Sequence, residues 1–330
     1  MKKLIALSSL SFALLVSGCA IGPPNTNPGK LGGDYELEKS AANPAPKGTE
    51  ANKVILFEVD GGELSAVDEA NLRTSVIGAL DKSIADAGAE RVERDLASGL
   101  KEEIEMAQQR GAGSYSGAEV VDYAVRTRIK NATFGSEFQE AYVDDDGNRY
   151  PPKCTYSANV SVAVDVFAIP ELEKVKSLSG DAGTSDYQDT RNSNCNSVSG
   201  HGLLRSAASG AVVDLQGQLK NFFAPIGYIM AAKEYLPDEQ QIVLKTTLTN
   251  DLGARPGFDV NIKRVQTNGD RYKVAEGEIG EPVLSSGANV VVGKETVDKV
   301  KIGDEVKVDH SCSVLGCRFD KIVGDILPPY

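Results

Sequence analysis

The chain of 330 residues has no tryptophan and only two histidines. Histidine is the most frequent metal ligand and general base, so two of them leave little material for a metal centre or a histidine-dependent active site. The signatures H-E-x-x-H, the Walker loop and G-x-S-x-G are also missing from the sequence. These absences argue against an enzyme and predict neither a bound metal nor a cofactor.

Basic residues are scarce as well. Lysine and arginine number 35 against 47 acidic residues, which gives a formal net charge of −12. An acidic chain is repelled by nucleic acid and by an anionic membrane surface, so neither is expected as the main partner.

Long apolar runs are missing after the first twenty residues, where no segment approaches eighteen unbroken apolar residues. No transmembrane helix is therefore predicted in the rest of the chain. An apolar content of 41% in a chain of this length is enough for one large or two ordinary packed domains.

The N-terminus carries an export signal. Lys2 and Lys3 precede an apolar stretch that is too short to span a bilayer, and small residues follow it up to Cys19. This order resembles the lipobox of bacterial lipoproteins, which predicts a signal peptide over residues 1–18 and lipidation of Cys19. An ordinary cleaved signal peptide and a retained anchor helix are the alternatives. Ala20 and Ile21 follow in place of an aspartate, which favours the periplasmic face of the outer membrane.

Four cysteines remain after Cys19: Cys154, Cys195, Cys312 and Cys317. An even number in an exported protein suggests disulfides, and three pairings are open. We prefer Cys154 with Cys195 and Cys312 with Cys317, one bridge for each expected domain. A zinc site built from His310, Cys312 and Cys317 competes with the second bridge, although its spacing differs from that of known zinc motifs.

Residues 19–52 are rich in glycine, proline and asparagine and show almost no apolar periodicity. Such a composition predicts a flexible tether, with a typical reach of about 30 Å for roughly thirty residues.

Residues 53–250 alternate between strand and helix patterns. The run KVILFEV predicts a buried strand, and apolar residues three and four apart predict helices over 68–87, from about 95 to 107, and over 202–223. Two alternating segments, 118–134 and 155–169, predict long strands, and polar residues 171–201 predict a surface insertion or long connection. The predicted fold of this region is α+β, an α/β sandwich with a mixed sheet and helices on one face.

From residue 251 to 330 the chain consists of short strand patterns separated by turns, such as Asn268-Gly269-Asp270. Runs of four to six residues at this spacing predict a small β-barrel of SH3 or OB type.

Few polar groups suggest chemistry. His201, in the loop sequence Ser-Gly-His-Gly, is read as a helix-entry residue, and His310 as a surface residue at the end of a strand. Glu93, Glu102 and Glu103 are read as solvated charges of a strand edge and a helix. The acidic run 144–148 predicts a hairpin turn; it lacks the downstream glutamate of a calcium loop.

Several segments resemble the core shared by CsgG-type curli secretion lipoproteins, lipoprotein activators of penicillin-binding proteins, and flagellar basal-body ring proteins. The resemblance covers about residues 53–235 and is carried by KVILFEVDGG, NLRTSVIGALDKSIADAG, AERVERDLASGLKEEIEMA and SGAEVVDYAVRTRI. The C-terminal β module is most similar to the flagellar proteins, and the lipobox to the other two groups.

The resemblance implies a non-catalytic lipoprotein under the outer membrane that binds protein partners, with an oligomeric ring as one form of assembly. Its expected role is an assembly or interaction module of a cell-surface, secretion or flagellar ring structure. The alternative is a regulator that binds a cell-wall synthesis enzyme.

Overall fold

The computed structural model describes residues 22–44, 46, 48–61, 66–92, 97–110, 121–196 and 200–311. The helices in these ranges are α1 (Ala66–Asp86), α2 (Ala97–Arg110), α3 (His201–Phe223) and α4 (Lys294–Val297). The strands are β1 (Leu31–Tyr35), β2 (Lys53–Leu56), β3 (Glu90–Arg91), β4 (Tyr123–Gln139), β5 (Tyr142–Val143), β6 (Arg149–Tyr150), β7 (Lys153–Ala168), β8 (Glu173–Asp189), β9 (Ile226–Tyr235), β10 (Gln241–Thr246), β11 (Asp259–Val265), β12 (Arg271–Ile279), β13 (Asn289–Gly293) and β14 (Glu305–Val308). The chain is thus a mixed α+β protein with more strands than helices.

The first unit is a five-stranded mixed sheet with the order β3-β2-β4-β7-β8. Strand β2 is parallel to β3 and β4, whereas β4, β7 and β8 are antiparallel neighbours. The last three strands are 16 or 17 residues long, far above the five or six residues of an ordinary strand. Strand β8 occupies part of the polar region that was predicted to be a connection; its apolar burial is limited to Leu178, so the alternating pattern of a strand is weak there.

Helices pack on both faces of this sheet, which differs from the predicted arrangement with helices on one face. Val54 and Leu56 belong to the apolar cluster formed with α1 and α3. Ile55, between them, packs instead with Leu100 and Ile104 of α2. Because successive side chains of a strand point to opposite faces, the continuous apolar run of β2 indicates burial on both sides.

The second unit is a closed barrel of six strands in the order β9-β10-β13-β12-β11-β14, with β14 pairing back to β9. It has its own apolar cluster, which includes Ile229, Leu244 and Ile262. Strands β9 and β10 precede the boundary that was predicted at residue 251, so the barrel takes its first two strands from the region assigned to the α/β domain. Closure needs them, because β9 is the strand on which β14 and β10 both pair.

Residues 24–43, here called the strap, lie along the barrel instead of forming the predicted tether. The amide of Thr26 donates to the carbonyl of Glu281 at 2.7 Å, and the amide of Ser40 donates to the carbonyl of Ile302 at 2.8 Å. Between these points β1 pairs with β9 over Leu31–Tyr35. Strand β14 covers only the first part of the same edge of β9, and β1 continues along the part that β14 leaves open.

The strap shortens the free chain at the N-terminus. Asn25, which bridges to Glu281 of the barrel, comes six positions after Cys19, with five residues between them. At most about 3.6 Å per residue, this segment spans about 20 Å. A lipid on Cys19 would therefore hold the barrel next to the membrane.

Strap docking can be tested at Gly303, which has a φ of 89° and lies against the strap. A Cβ there would stand 1.8 Å from the carbonyl oxygen of Asn43, whereas a Cβ at Gly269, with a φ of 90°, meets nothing within 4 Å. Gly303→Ala and Gly269→Ala therefore share the backbone strain, and only the first displaces the strap. We expect Gly303→Ala to cost about 1–3 kcal/mol more in the free energy of unfolding, with faster hydrogen exchange at Ser40. Equal losses in urea unfolding would contradict strap docking.

Candidate functional site

The most distinctive surface is the far part of the long sheet, which extends past the strands that belong to the core. The last backbone hydrogen bond between β4 and the segment that follows β2 runs from the amide of Ile129 to the carbonyl of Asp60, at 2.8 Å. Beyond it, β4 and β7 stay paired without a break from Asn131 with Ser161 to Gln139 with Lys153. We call residues 131–161 and 181–196 the arm: the outer halves of β4, β7 and β8, the β5–β6 hairpin and the segment after β8.

The two faces of the arm differ. One face carries the buried side chains of Tyr156, Ala158 and Val160, and it packs against α3 and residues next to it. Gly200, just before α3, lies so close to the ring of Phe134 that a Cβ would approach it to 2.5 Å. The other face exposes short polar residues, among them Asn131, Thr133, Gly135, Ser157, Asn159, Asp181, Gly183 and Ser185.

A disulfide joins Cys154 in β7 to Cys195 in the segment after β8, which is the pairing preferred from the sequence. Both cysteines are buried in a small cluster with Tyr156, and Phe138 and Leu203 pack against it. Within the arm, the bridge ties the segment that follows β8 to β7. Cys19, Cys312 and Cys317 lie outside the described residues.

The end of the arm is a hairpin organised by one carboxylate. Asp144 accepts hydrogen bonds from the Asn148 side-chain amide at 2.9 Å, from the Asn148 backbone amide at 2.8 Å, and from the Asp146 amide and the Tyr150 hydroxyl, each at 3.1 Å. These donors, led by the Asn148 side chain, hold the pKa of Asp144 below its usual value. The turn predicted here is confirmed: the amide of Gly147 donates to the carbonyl of Asp144 at 3.0 Å, and Gly147 has a φ of 84°.

Apolar side chains stand in solvent around this hairpin. The rings of Tyr142 and Tyr150 stack with their centroids 4.7 Å apart. Val143 is 59% exposed and Tyr187 is 68% exposed, with the Lys153 ammonium 5.6 Å from the Tyr187 ring centroid. We call Tyr142, Val143, Tyr150 and Tyr187 the aromatic tip. None of the expectations from the sequence includes the aromatic tip, although two tyrosines on either side of an Asp-Gly turn are a usable signal.

The outer strands of the arm differ in how their edges are protected. On β8 the amide of Asp181 donates to the Asp214 carboxylate of α3 at 3.2 Å, and the amide of Tyr187 donates to Asp186 at 2.8 Å. On β4 the edge beyond Ile129 has no strand neighbour among the described parts of the chain. Unpaired strand edges accept further strands, so the β4 edge is available for a partner, whereas two backbone amides of β8 already have partners.

A buried ion cluster lies at the base of the arm. The Asp165 carboxylate, which is almost fully buried, accepts a hydrogen bond from the Ser177 hydroxyl at 2.6 Å and contacts Arg128 at 3.1 Å, Arg126 at 3.4 Å and Lys174 at 3.8 Å. Burial acts to raise the pKa of Asp165, but Ser177 and the surrounding cations outweigh it and lower the pKa. The cluster joins β4, β7 and β8 at one point, which fixes the direction in which the arm leaves the core.

The other end of α3 is bound to the barrel by polar contacts. Asn221 donates to Asp309 at 3.1 Å and accepts from the His310 amide at 2.6 Å, and the Lys307 ammonium donates to the carbonyl of Phe222 at 3.0 Å. His310 is buried, which differs from the predicted surface position, and its ring meets Phe258 edge to face. Burial, together with the Lys220 charge, lowers the pKa of His310 to about 4.

The remaining candidate residues do not converge on one site. His201 is an exposed residue at the start of α3, and Glu102 and Glu103 lie on α2 with Glu102 in solvent. Glu93 lies outside the described residues. Within the described ranges, no group of three histidine, cysteine or acidic side chains is arranged to hold a metal ion. No helix there is both long and apolar enough to cross a membrane.

No family model matches the chain, and no curated protein matches it. Solved structures that resemble part of it include a minor lipoprotein from Acinetobacter baumannii, with 12% identity, a TM-score of 0.27, and coverage of 52% of this chain and 92% of that one. A Neisseria meningitidis lipoprotein has 12% identity, a TM-score of 0.24, and coverage of 49% and 98%. The PelC dodecamer from Paraburkholderia phytofirmans has 12% identity, a TM-score of 0.24, and coverage of 56% and 95%.

These neighbours include bacterial lipoproteins, and at such identities and TM-scores they do not define a family for this chain. They do not single out the CsgG type or the penicillin-binding-protein activators, so that resemblance stays a prediction from the sequence.

Removal of the disulfide should loosen the arm more than the barrel. A bridge that spans 41 residues is worth about 2–4 kcal/mol of the free energy of unfolding. We expect Cys154→Ala/Cys195→Ala to lose this amount in urea unfolding and to speed hydrogen exchange at Phe138 and Tyr156, with exchange at Val243 of the barrel unchanged. Equal acceleration in both units would contradict a local role of the bridge.

His310 should make stability depend on pH. Its folded pKa of about 4 lies below the 6.5 of a free histidine, so the unfolded chain takes up the proton first as the pH falls. The free energy of unfolding should therefore decrease between pH 6.5 and 4, by about 1.4 kcal/mol per pH unit. In His310→Gln this contribution is absent, while those of the carboxylates remain. Urea unfolding at pH 4.5, 5.5 and 7 checks the difference, and identical slopes in both proteins would refute it.

Proposed function

We propose that this chain is a non-catalytic lipoprotein, anchored through Cys19 to the periplasmic face of the outer membrane, that serves as an assembly or interaction module of a cell-surface, secretion or flagellar ring structure. The observation that carries the proposal is the arm. It is an extension with one polar, exposed face, it ends in exposed aromatic residues, and its β4 edge has no strand neighbour among the described residues. Ordered apolar surface of this kind is typical of a protein-binding site.

The position of the arm supports the same role. Helix α3 runs from Gly200, beside Phe134 of the arm, to Asn221, beside Asp309 of the barrel. Its 23 residues correspond to about 34 Å. The barrel carries the strap and the short chain to Cys19, so anchoring and partner binding would occupy opposite ends of one helix.

The alternative, a regulator that reaches a distant cell-wall enzyme on a long tether, is less well supported. A tether of about thirty residues would allow that reach, but only five residues lie between Cys19 and Asn25, which bridges to the barrel. A protein held this close to the membrane is better suited to a partner in or next to the outer membrane.

Formaldehyde cross-linking in intact cells, followed by purification from the outer-membrane fraction, tests the proposal. We expect adducts with structural subunits of an envelope assembly or with further copies of the chain. Cys19→Ala is the control: without the cysteine no lipid can be attached, so the protein should leave the outer-membrane fraction and lose these adducts. Adducts with a cell-wall synthesis enzyme would instead support the regulator, and a wild-type protein without adducts would contradict both.

A further inference from the structure

The aromatic tip is not needed for the core of the protein. Tyr142, Val143 and Tyr150 belong to the two-stranded β5–β6 sheet and to none of the buried apolar clusters. Tyr187, on β8, is one of the most exposed large side chains of the described residues. Tyrosines that combine large apolar area with few rotatable bonds are enriched where proteins bind one another.

The tip is also held in shape before any partner arrives. Asp144 fixes the hairpin through four hydrogen bonds, and the amide of Thr190, after β8, donates to the carbonyl of Pro152 at 2.9 Å. The disulfide at Cys195 binds the following segment to β7. Preformed surfaces lose less conformational entropy on binding than mobile ones.

The charge around the tip has one dominant sign. Residues 137–153 and 186–191 contain seven acidic side chains, Glu137, Glu140, Asp144, Asp145, Asp146, Asp186 and Asp189, and three basic ones, Arg149, Lys153 and Arg191. The local net charge is therefore −4. A field of this sign repels nucleic acid, anionic lipid and a second copy of this acidic chain, and it attracts a cationic surface.

We infer that the aromatic tip docks into an apolar pocket on a partner protein whose surrounding surface is rich in lysine and arginine. The tyrosines and Val143 supply the buried contact, and the net negative charge of the surrounding segments sets orientation and the rate of association. The inference rests on the proposed function and adds the chemistry of the partner.

Site-specific photocross-linking in cells tests it. The photoreactive residue p-benzoylphenylalanine replaces Tyr187 in the full-length protein, and it replaces Tyr272 of the barrel, which is 41% exposed, as the matched control. We expect a partner adduct at position 187 and at least tenfold less at position 272. Mass spectrometry should place the adduct on a partner segment flanked by lysines and arginines.

A charge-reversal variant tests the contribution of the acidic residues near the tip. Asp145→Lys/Asp146→Lys, introduced into the position-187 protein, should reduce the adduct about tenfold, and Asp145→Asn/Asp146→Asn should reduce it less. Glu239→Lys/Asp251→Lys makes the same charge change on exposed residues away from the arm and should leave the adduct unchanged.

The outcomes separate the two proposals. An adduct at position 187 that is insensitive to charge reversal, or that maps to an acidic surface or a second copy of the chain, would overturn the inference and leave the proposed function standing. The absence of a partner adduct at position 187, in cells where formaldehyde still gives adducts, would overturn the inference alone. The absence of adducts in both experiments would overturn both proposals.

Discussion

The structure depends on the close packing of α3 against β8. A Cβ at Gly180 of β8 would lie 2.0 Å from the carbonyl oxygen of Ala211, and one at Gly210 of α3 would lie 2.9 Å from the Ala182 side chain. Two glycines thus let the helix and the strand approach more closely than other residues allow. Since α3 contacts the arm at its start and the barrel at its end, this packing sets the geometry of the whole molecule.

Polar clusters at both ends of this contact keep that geometry. Asp165 joins three strands at the base of the arm, and Asp309 joins β11 and α3 at the barrel through Asn261 and Asn221. Buried charges of this kind add little net stability, because desolvation offsets much of their attraction, but they penalise alternative arrangements that leave a charge unpaired. The strap adds a third constraint by covering the part of the β9 edge that β14 leaves open. The arm and the strap are thereby held in a defined relation.

The elements that could be predicted from the sequence are those in which one buried face produces a regular pattern of apolar residues. The helix stripes and the alternation of β7 reflect one buried face, so α1, α3 and β7 were predictable to within a few residues. The strap was not, since Gly32 and Gly33 carry no apolar pattern and the strand forms only because the β9 edge is open. Strand β8 was missed for a related reason: its outer half has little buried surface. Burial of the second face of the sheet follows from the unbroken apolar run of β2. The helix that covers this face, α2, was identified only in the structure.

The central claim is that barrel, α3 and arm form one rigid body with the aromatic tip displayed at its far end. The distance between nitroxide labels, carried by an unnatural amino acid at positions 187 and 272 and measured by double electron–electron resonance, tests it most directly. A single narrow distance distribution, which broadens when Gly180→Ala separates α3 from β8, is the expected result. A distribution that is broad in the otherwise unchanged protein, or that is insensitive to Gly180→Ala, would contradict the claim.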